Sequence, residues 1–171
     1  ARDAIHIEQN IIGENVGSQD QVAAAFGGFN RISFSNDGNF KVSPVIISKE
    51  RLLELNAHLM LYFTGTSRIA DQIARSQIDN LPFRQNELHL MKSMVDETIE
   101  ILANDKIPIK QFGQMLHESW KLKRSLSNRV STPEIDTLYQ IAIDNGAIGG
   151  KILGAGGGGF MLLFAEPHRQ P

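Results

Sequence analysis

Lys151-Ile152-Leu153-Gly154-Ala155-Gly156-Gly157-Gly158-Gly159-Phe160 sets a lysine ahead of five glycines in six positions. Glycine admits φ > 0 and lets another group come close to the main chain. Successive N–H groups of such a run can line an anion-binding concavity, and the Lys151 ammonium would add a point charge. The competing reading is a tight connection between strands in which the glycines serve packing. The run is no Walker A loop, because no Gly-Lys-Ser/Thr follows it. It also lacks the dinucleotide context, because the apolar Phe160-Met161-Leu162-Leu163-Phe164 follows where a helix should open.

Two carboxylates form a second candidate pair. Glu8 lies near the end of a helical pattern, and Asp20 stands twelve residues on, in Gly17-Ser18-Gln19-Asp20-Gln21. One carboxylate could hold Mg²⁺ while the other orients or deprotonates a hydroxyl, the two tasks that phosphoryl transfer requires. The plain alternative is a solvent-facing Glu8 and an Asp20 that caps a helix starting near Gln21. For a phosphate on an acceptor molecule, Arg68 follows the turn Thr64-Gly65-Thr66-Ser67, whose amides could also face an anion. Its alternative is a helix-surface arginine. Lys121, Lys123, Arg124 and Arg129 spread over more than one helical face and read as a solvated surface, as does Arg31 on a strand edge. His6, His58, His89, His117 and His168 have no metal-ligand spacing. Trp120, Met91, Met94 and Met115 read as packing residues.

The elements that must hold these groups are readable in outline. Apolar Ala4, Ile5, Ile7, Ile11 and Ile12 give residues 1–12 a helical pattern that Gly13 ends. A short helix over Gln21–Phe26, a strand over Phe29–Phe34, a turn at Asn36-Asp37-Gly38-Asn39 and a returning strand over Phe40–Ile47 follow, with Pro44 marking an edge or bulge. Lys49-Glu50-Arg51 is a charged patch that fits a domain boundary. Beyond it come a short helix over Leu52–Asn56, a buried strand over His58–Phe63 and a helix from Arg68 to about Gln77. Next is a long helix capped by Asn86, with Leu88, Met91, Val95, Ile99 and Leu102 inward. Pro108 fits the first turn of the next helix, with Phe112, Met115, Leu116 and Leu122 inward. Thr132-Pro133 opens another helix, with Ile135, Leu138 and Ala142 inward, and Gly146 closes it. Phe160–Ala165 is the final strand. This order predicts a small α+β layer after a piece of another domain.

The chain has 171 residues, 42% of them hydrophobic, enough for one domain or two small ones with a buried core. Net charge is −2 with no basic block, which argues against nucleic acid as the main partner. The absence of cysteine excludes disulfides and thiolate metal sites and is compatible with a reducing compartment. No apolar run approaches the length of a membrane span, so no membrane partner is expected. The opening Ala1–Asn10 reads as the middle of a helix, not as a signal peptide, and the chain reads as a fragment cut at both ends.

Together these segments resemble the GHMP small-molecule kinases. Lys151–Phe164 is similar to that superfamily's third motif, Lys-x-x-Gly-Ala-Gly-x-Gly-Gly, and Glu8–Gln21 resembles the segment in which a glutamate precedes Gly-x-x-Asp-Gln. The wording of Glu14–Ile32, Leu61–Ala70 and Leu116–Tyr139 looks closest to the kinases of D-glycero-D-manno-heptose 7-phosphate. The resemblance covers nearly the whole chain. It implies an α+β fold: residues 1–49 as the end of a ribosomal-protein-S5-like N-terminal domain and 50–171 as a ferredoxin-like C-terminal domain. It implies Asp20 as the catalytic carboxylate and Glu8 as a Mg²⁺ ligand. Gly17, Ser18, Thr64, Gly65 and Arg68 become substrate contacts, and Lys151, Gly154, Ala155, Gly156, Gly157, Gly158 and Gly159 a phosphate loop. The implied reaction moves the γ-phosphate of ATP to the anomeric hydroxyl of a heptose 7-phosphate, in the cytoplasm, with Mg²⁺, in a protein for which a homodimer is compatible. The superfamily's Pro-x-x-x-Gly-Leu-Gly-Ser-Ser loop is absent from these residues, so this chain by itself is expected to be inactive or very weak. A galactose-like acceptor, a non-catalytic sugar-phosphate-binding module and a simple structural domain are the rival readings. Asp20, the glycine loop and the Thr64–Arg68 turn are expected to converge on one cleft.

Overall fold

The local signals produce most of the elements where they were expected. A computed structural model describes residues 1–65 and 70–170. Thr66, Ser67, Arg68 and Ile69 lie outside the described residues, so the expected role of Arg68 and the start of its helix have no structural account. The chain divides into two units, Ala1–Ile46 and Ile47–Pro171.

In the first unit, α1 (Arg2–His6) runs on into a π-helical turn over Ile7–Ile12, and Gly13 ends it at φ 79°. Helix α2 spans Gln19–Phe26 and stops at Gly27. Strands β1 (Asn30–Phe34) and β2 (Phe40–Pro44) pair antiparallel, with Ile32 opposite Val42. The turn between them forms at the Asn-Asp-Gly-Asn signal. The Asp37 carboxylate accepts from the Ser35 hydroxyl and from the backbone N–H and side-chain amide of Asn39. Those bonds, Ser35's first, hold its pKa down at about 2.

In the second unit, α3 (Lys49–His58) leads into β3 (Leu59–Phe63), and α4 (Ala70–Asn80), α5 (Gln85–Ala103), α6 (Lys110–Ser125) and α7 (Pro133–Asp144) follow. Strands β4 (Ala147–Ile152) and β5 (Phe160–Ala165) complete a three-stranded antiparallel sheet in the order β3-β5-β4. The expected α7 boundaries hold: the Thr132 hydroxyl accepts from the Ile135 N–H, Pro133 opens the helix, and Gly146 follows it at φ 103°. Two apolar clusters carry the unit. One joins Trp120, Val130, Ile135, Tyr139, Ile152, Met161 and Leu163; the other joins Leu55, Leu102, Ile109, Leu116 and Phe164. Trp120 is fully buried, as its spacing from Leu116 implied.

The division between the units falls just ahead of Lys49-Glu50-Arg51, which is the first turn of α3, capped by Ser48, whose hydroxyl accepts from the Arg51 N–H at 3.0 Å. Several expectations about the second unit fail. Arg51 is buried, and its guanidinium donates to the carbonyls of Ile101 (2.6 Å) and Ile107 (2.5 Å), so a charged triplet in sequence is a tertiary strut. His58 closes α3 instead of opening β3. Strand β3 is an edge strand, and Leu61, Tyr62 and Phe63 are exposed, because the core clusters reach only Leu59 and Met60. Arg84, not Asn86, occupies the position before α5; Asn86 lies inside the helix, and Val95 points to solvent. Pro108 sits in the turn ahead of α6 and accepts from the Gln111 N–H.

Candidate functional site

In the first unit Glu8 is tied to Gln21, the residue after Asp20. Glu8 sits in the π-helical turn, a local distortion frequent at functional positions. It is half-buried, and its Oε2 accepts from the Gln21 side-chain amide at 2.5 Å. The other side-chain atom of Gln21, Oε1, is buried without a partner among the described residues. Asp20, the neighbour of Gln21, is exposed in the first turn of α2. The capping alternative for Asp20 fails: Ser18 holds the cap position, and no side-chain cap bond forms. The Ser18 hydroxyl instead accepts from Gln9 Nε2 at 3.2 Å, and the same amide donates to the Val16 carbonyl at 2.8 Å. Gln9 thereby fastens the loop containing Gly17, which is exposed. Asp20 has no hydrogen-bond partner among the described residues, which leaves both of its oxygens available to a ligand.

In the second unit the Thr64 turn and the glycine loop come together. The Thr64 backbone N–H and hydroxyl both donate to the Gly159 carbonyl at 2.9 Å. Gly65 follows at φ 78°. Gly154, Gly156, Gly157, Gly158 and Gly159 all have positive φ, from 63° to 153°. At Gly156 a Cβ would stand 2.6 Å from the Val130 carbonyl oxygen, while at Gly154 and Gly159 it would meet nothing within 4 Å. Lys151 lies in β4 opposite Leu162, partly buried. Desolvation lowers the pKa of its ammonium. Its side chain has no partner among the described residues.

Sequence reasoning missed one lysine. Lys123 was grouped with solvated neighbours, and for three of that group the expectation is met. Lys121 pairs with Glu118 on an exposed surface, Arg124 reaches Asp136 at 2.8 Å, and Arg129 is exposed. Lys123 is buried and donates to the carbonyls of Ile152 and Gly154. The available signal was its spacing: Gly113, Leu116, Trp120 and Lys123 form one buried stripe of α6. His117 Nδ1 is engaged by the Tyr139 hydroxyl at 2.7 Å, and among the described residues no three His, Cys, Asp or Glu side chains gather as a metal site would.

The second unit is thus a three-stranded antiparallel sheet with α6 and α7 against β4 and a positive-φ glycine loop between β4 and β5. Residues 103–171 match the family described as GHMP kinases C terminal, and the chain carries a GHMP kinase C-terminal domain. Among curated proteins it is similar to the D-glycero-alpha-D-manno-heptose 7-phosphate kinase of Campylobacter jejuni, at 37% identity over 99% of this chain and 50% of that protein. Among solved structures it is similar to a D-glycero-D-manno-heptose 1-phosphate kinase from Bacteroides thetaiotaomicron, at 28% identity and TM-score 0.65 over 98% of this chain and 44% of the other. The mevalonate kinase of L. major shares the fold, at 21% identity and TM-score 0.66 over 85% of this chain and 43% of the other. The chain spans half or less of the length of the curated relatives it matches. The fold is therefore the mixed helix and sheet of the GHMP kinases. No helix among the described residues is long and apolar enough to cross a membrane.

Proposed function

We propose that this chain is part of an ATP-dependent sugar-phosphate kinase that phosphorylates the anomeric hydroxyl of D-glycero-D-manno-heptose 7-phosphate, a step toward nucleotide-activated heptose. Residues 1–49 then end an S5-like N-terminal domain, and residues 50–171 form the ferredoxin-like C-terminal domain. The observation that carries the proposal is the left-handed backbone of the glycine loop. Five positive-φ glycines, an adjoining Thr64 turn and a desolvated, unpaired Lys151 suit a phosphate and no apolar ligand. The similarity to the Campylobacter jejuni enzyme supports the heptose phosphate as acceptor.

Asp20 orients the anomeric hydroxyl and takes its proton. That hydroxyl is more acidic than an ordinary alcohol, so a carboxylate with free oxygens suffices. Glu8 would hold Mg²⁺, and the local donors fit: a carboxylate and the orphaned Gln21 Oε1 are both hard oxygen ligands. Bound there, the ion would supply positive charge that offsets the charge developing on the transferring group. Gly17, Ser18, Thr64, Gly65 and Arg68 contact the sugar phosphate. Lys151 with Gly154–Gly159 receives a phosphate. Residues 1–171 alone are inactive or very weak, because positioning at the triphosphate supplies most of such catalysis.

A coupled ATP-consumption assay on the intact protein with a panel of sugars tests the reading. The names of the two heptose relatives differ in where the phosphate sits, at position 7 or position 1, so both belong in the panel beside galactose. Heptose 7-phosphate is expected to give the highest kcat/KM. Asp20→Ala is expected to lower kcat by roughly 10²–10⁴-fold, the range for a general base. Normal turnover in that variant would remove Asp20 from the chemistry.

A further inference from the structure

Lys123 and Gln77 grip the glycine loop by its carbonyls. The Lys123 ammonium, buried on α6, donates to Ile152 O at 3.4 Å and, more tightly, to Gly154 O. Gln77, near the end of α4, donates through Nε2 to Ala155 O at 2.9 Å. The far side of the loop is pinned as well: the Gly157 N–H donates to Val130 O at 2.8 Å, beside the Gly156 Cα that a side chain could not share with Val130.

A trans peptide unit points its C=O and its N–H in opposite directions. Anchoring the carbonyls of Gly154 and Ala155 on Lys123 and Gln77 therefore turns the N–H groups of Ala155 and Gly156 the other way. Neither N–H has an acceptor among the described residues, whereas the neighbouring N–H of Leu153 donates to Phe160 O and that of Gly157 to Val130 O. An anion that faced loop carbonyls would be repelled. Here the Gly154 carbonyl is drawn against a cation and the Ala155 carbonyl against an amide donor, and the two peptide dipoles are aligned with their positive ends away from Lys123 and Gln77.

We propose that Lys123 and Gln77 are positioning residues that hold the carbonyl side of the loop inward, so that the N–H groups of Ala155 and Gly156 are presented to a phosphate of the bound ligand. This rests on the reading of the loop as a phosphate cradle. Lys123 touches no ligand; it acts through the backbone it holds. Gln77 and the Ser76–Ser127 hydroxyl contact (2.6 Å) make α4 part of the same brace.

Two readouts on the intact protein separate the brace from its use. Amide hydrogen exchange reports the brace. In Lys123→Met the Gly157 N–H is expected to exchange about 10-fold faster, and in Gln77→Ala about 3-fold faster, while the α5 amides keep their wild-type rates, as local loosening requires. Titration with inorganic tripolyphosphate reports the use. Affinity is expected to fall about 10-fold in Lys123→Met, within the range for a hydrogen bond to a charged group. KM for ATP should rise by more than kcat falls, and Lys123→Arg, which keeps charge and donors, should recover part of the loss. If Lys123→Met does not fold, Gln77→Ala, which loses a single hydrogen bond, decides the matter. Wild-type exchange and wild-type tripolyphosphate affinity in Gln77→Ala and in any Lys123 variant that folds overturn the proposal. A wild-type protein that binds no tripolyphosphate, yet shows the expected exchange changes, overturns the phosphate reading and upholds the brace.

Discussion

Gly149 and Gly150 lie inside β4, Gly154 and Gly156–Gly159 in the loop that follows, and the same residue type is present for different physical reasons. Gly149 does not have a positive φ. It is glycine because α6 crosses β4 so closely that a Cβ would stand 2.0 Å from the Gly113 carbonyl oxygen. A Cβ on Gly150 would meet the Leu162 carbonyl oxygen at 2.5 Å. In the loop the emphasis reverses. Gly154 and Gly159 face open space and need their φ of 63° and 86°, whereas Gly156 combines positive φ with a close neighbour. Packing, one of the two explanations weighed from sequence, accounts for the strand glycines, while the loop glycines answer first to backbone conformation. Gly149 lets α6 approach β4, Gly150 makes room for β5, and the loop glycines supply left-handed backbone.

Substitutions can break this contrast. The largest effect is expected from Gly149→Ala. Its nearest obstacles are backbone atoms of α6 that cannot rotate away, so urea denaturation should show a loss of about 3 kcal/mol or more, the upper end for overpacking. Gly156→Ala comes next, at about 2 kcal/mol, because an unfavourable φ and the Val130 carbonyl act together. Gly154→Ala should cost only about 1 kcal/mol by the same measurement, the backbone term for a left-handed residue alone. Equal losses at Gly149 and Gly154 would erase the distinction between the two stretches.

The smallest effect should have the opposite sign. Burial lowers the pKa of Lys151 below its ordinary 10.5 with no partner to compensate, so the charged ammonium is a cost to the folded state at neutral pH. Lys151→Met is expected to raise stability by about 0.5–1 kcal/mol at pH 7 while weakening tripolyphosphate binding. Between the folded pKa and 10.5 the unfolded chain binds more protons, so wild-type stability rises with pH across that window. The advantage of Lys151→Met in thermal denaturation should therefore shrink as pH approaches 10.5. A constant advantage would mean that the ammonium is not the source.

How far the sequence speaks for itself depends on the range of the signal. The turn at Asp37, the α7 boundaries at Thr132 and Gly146, the stop at Gly13 and the strand Phe160–Ala165 were all readable. So was the solvated state of Lys121, Arg124 and Arg129. Asp20 was misread as a plain helix cap on one of its two readings, because a lone aspartate before a helix carries the same pattern whether or not it bonds the backbone. Burial of β3 was expected from an unbroken apolar run, yet composition does not say which strand ends up at the edge of a sheet.

Residue order alone established the hairpin, the helix caps, the glycine run and its likeness to a kinase loop, since turn chemistry, capping and φ preference act over a few neighbouring residues. Folding in three dimensions selected Lys123 from four similar cations, set Arg51 between two carbonyls and aimed the loop peptides. The Lys123 outcome depends on α6 lying against β4, and the Arg51 outcome on α3 meeting the end of α5 and the turn after it, contacts between positions about thirty to fifty-six residues apart. The free energy of burying a charge depends on what surrounds it, and those surroundings are assembled only when distant segments pack.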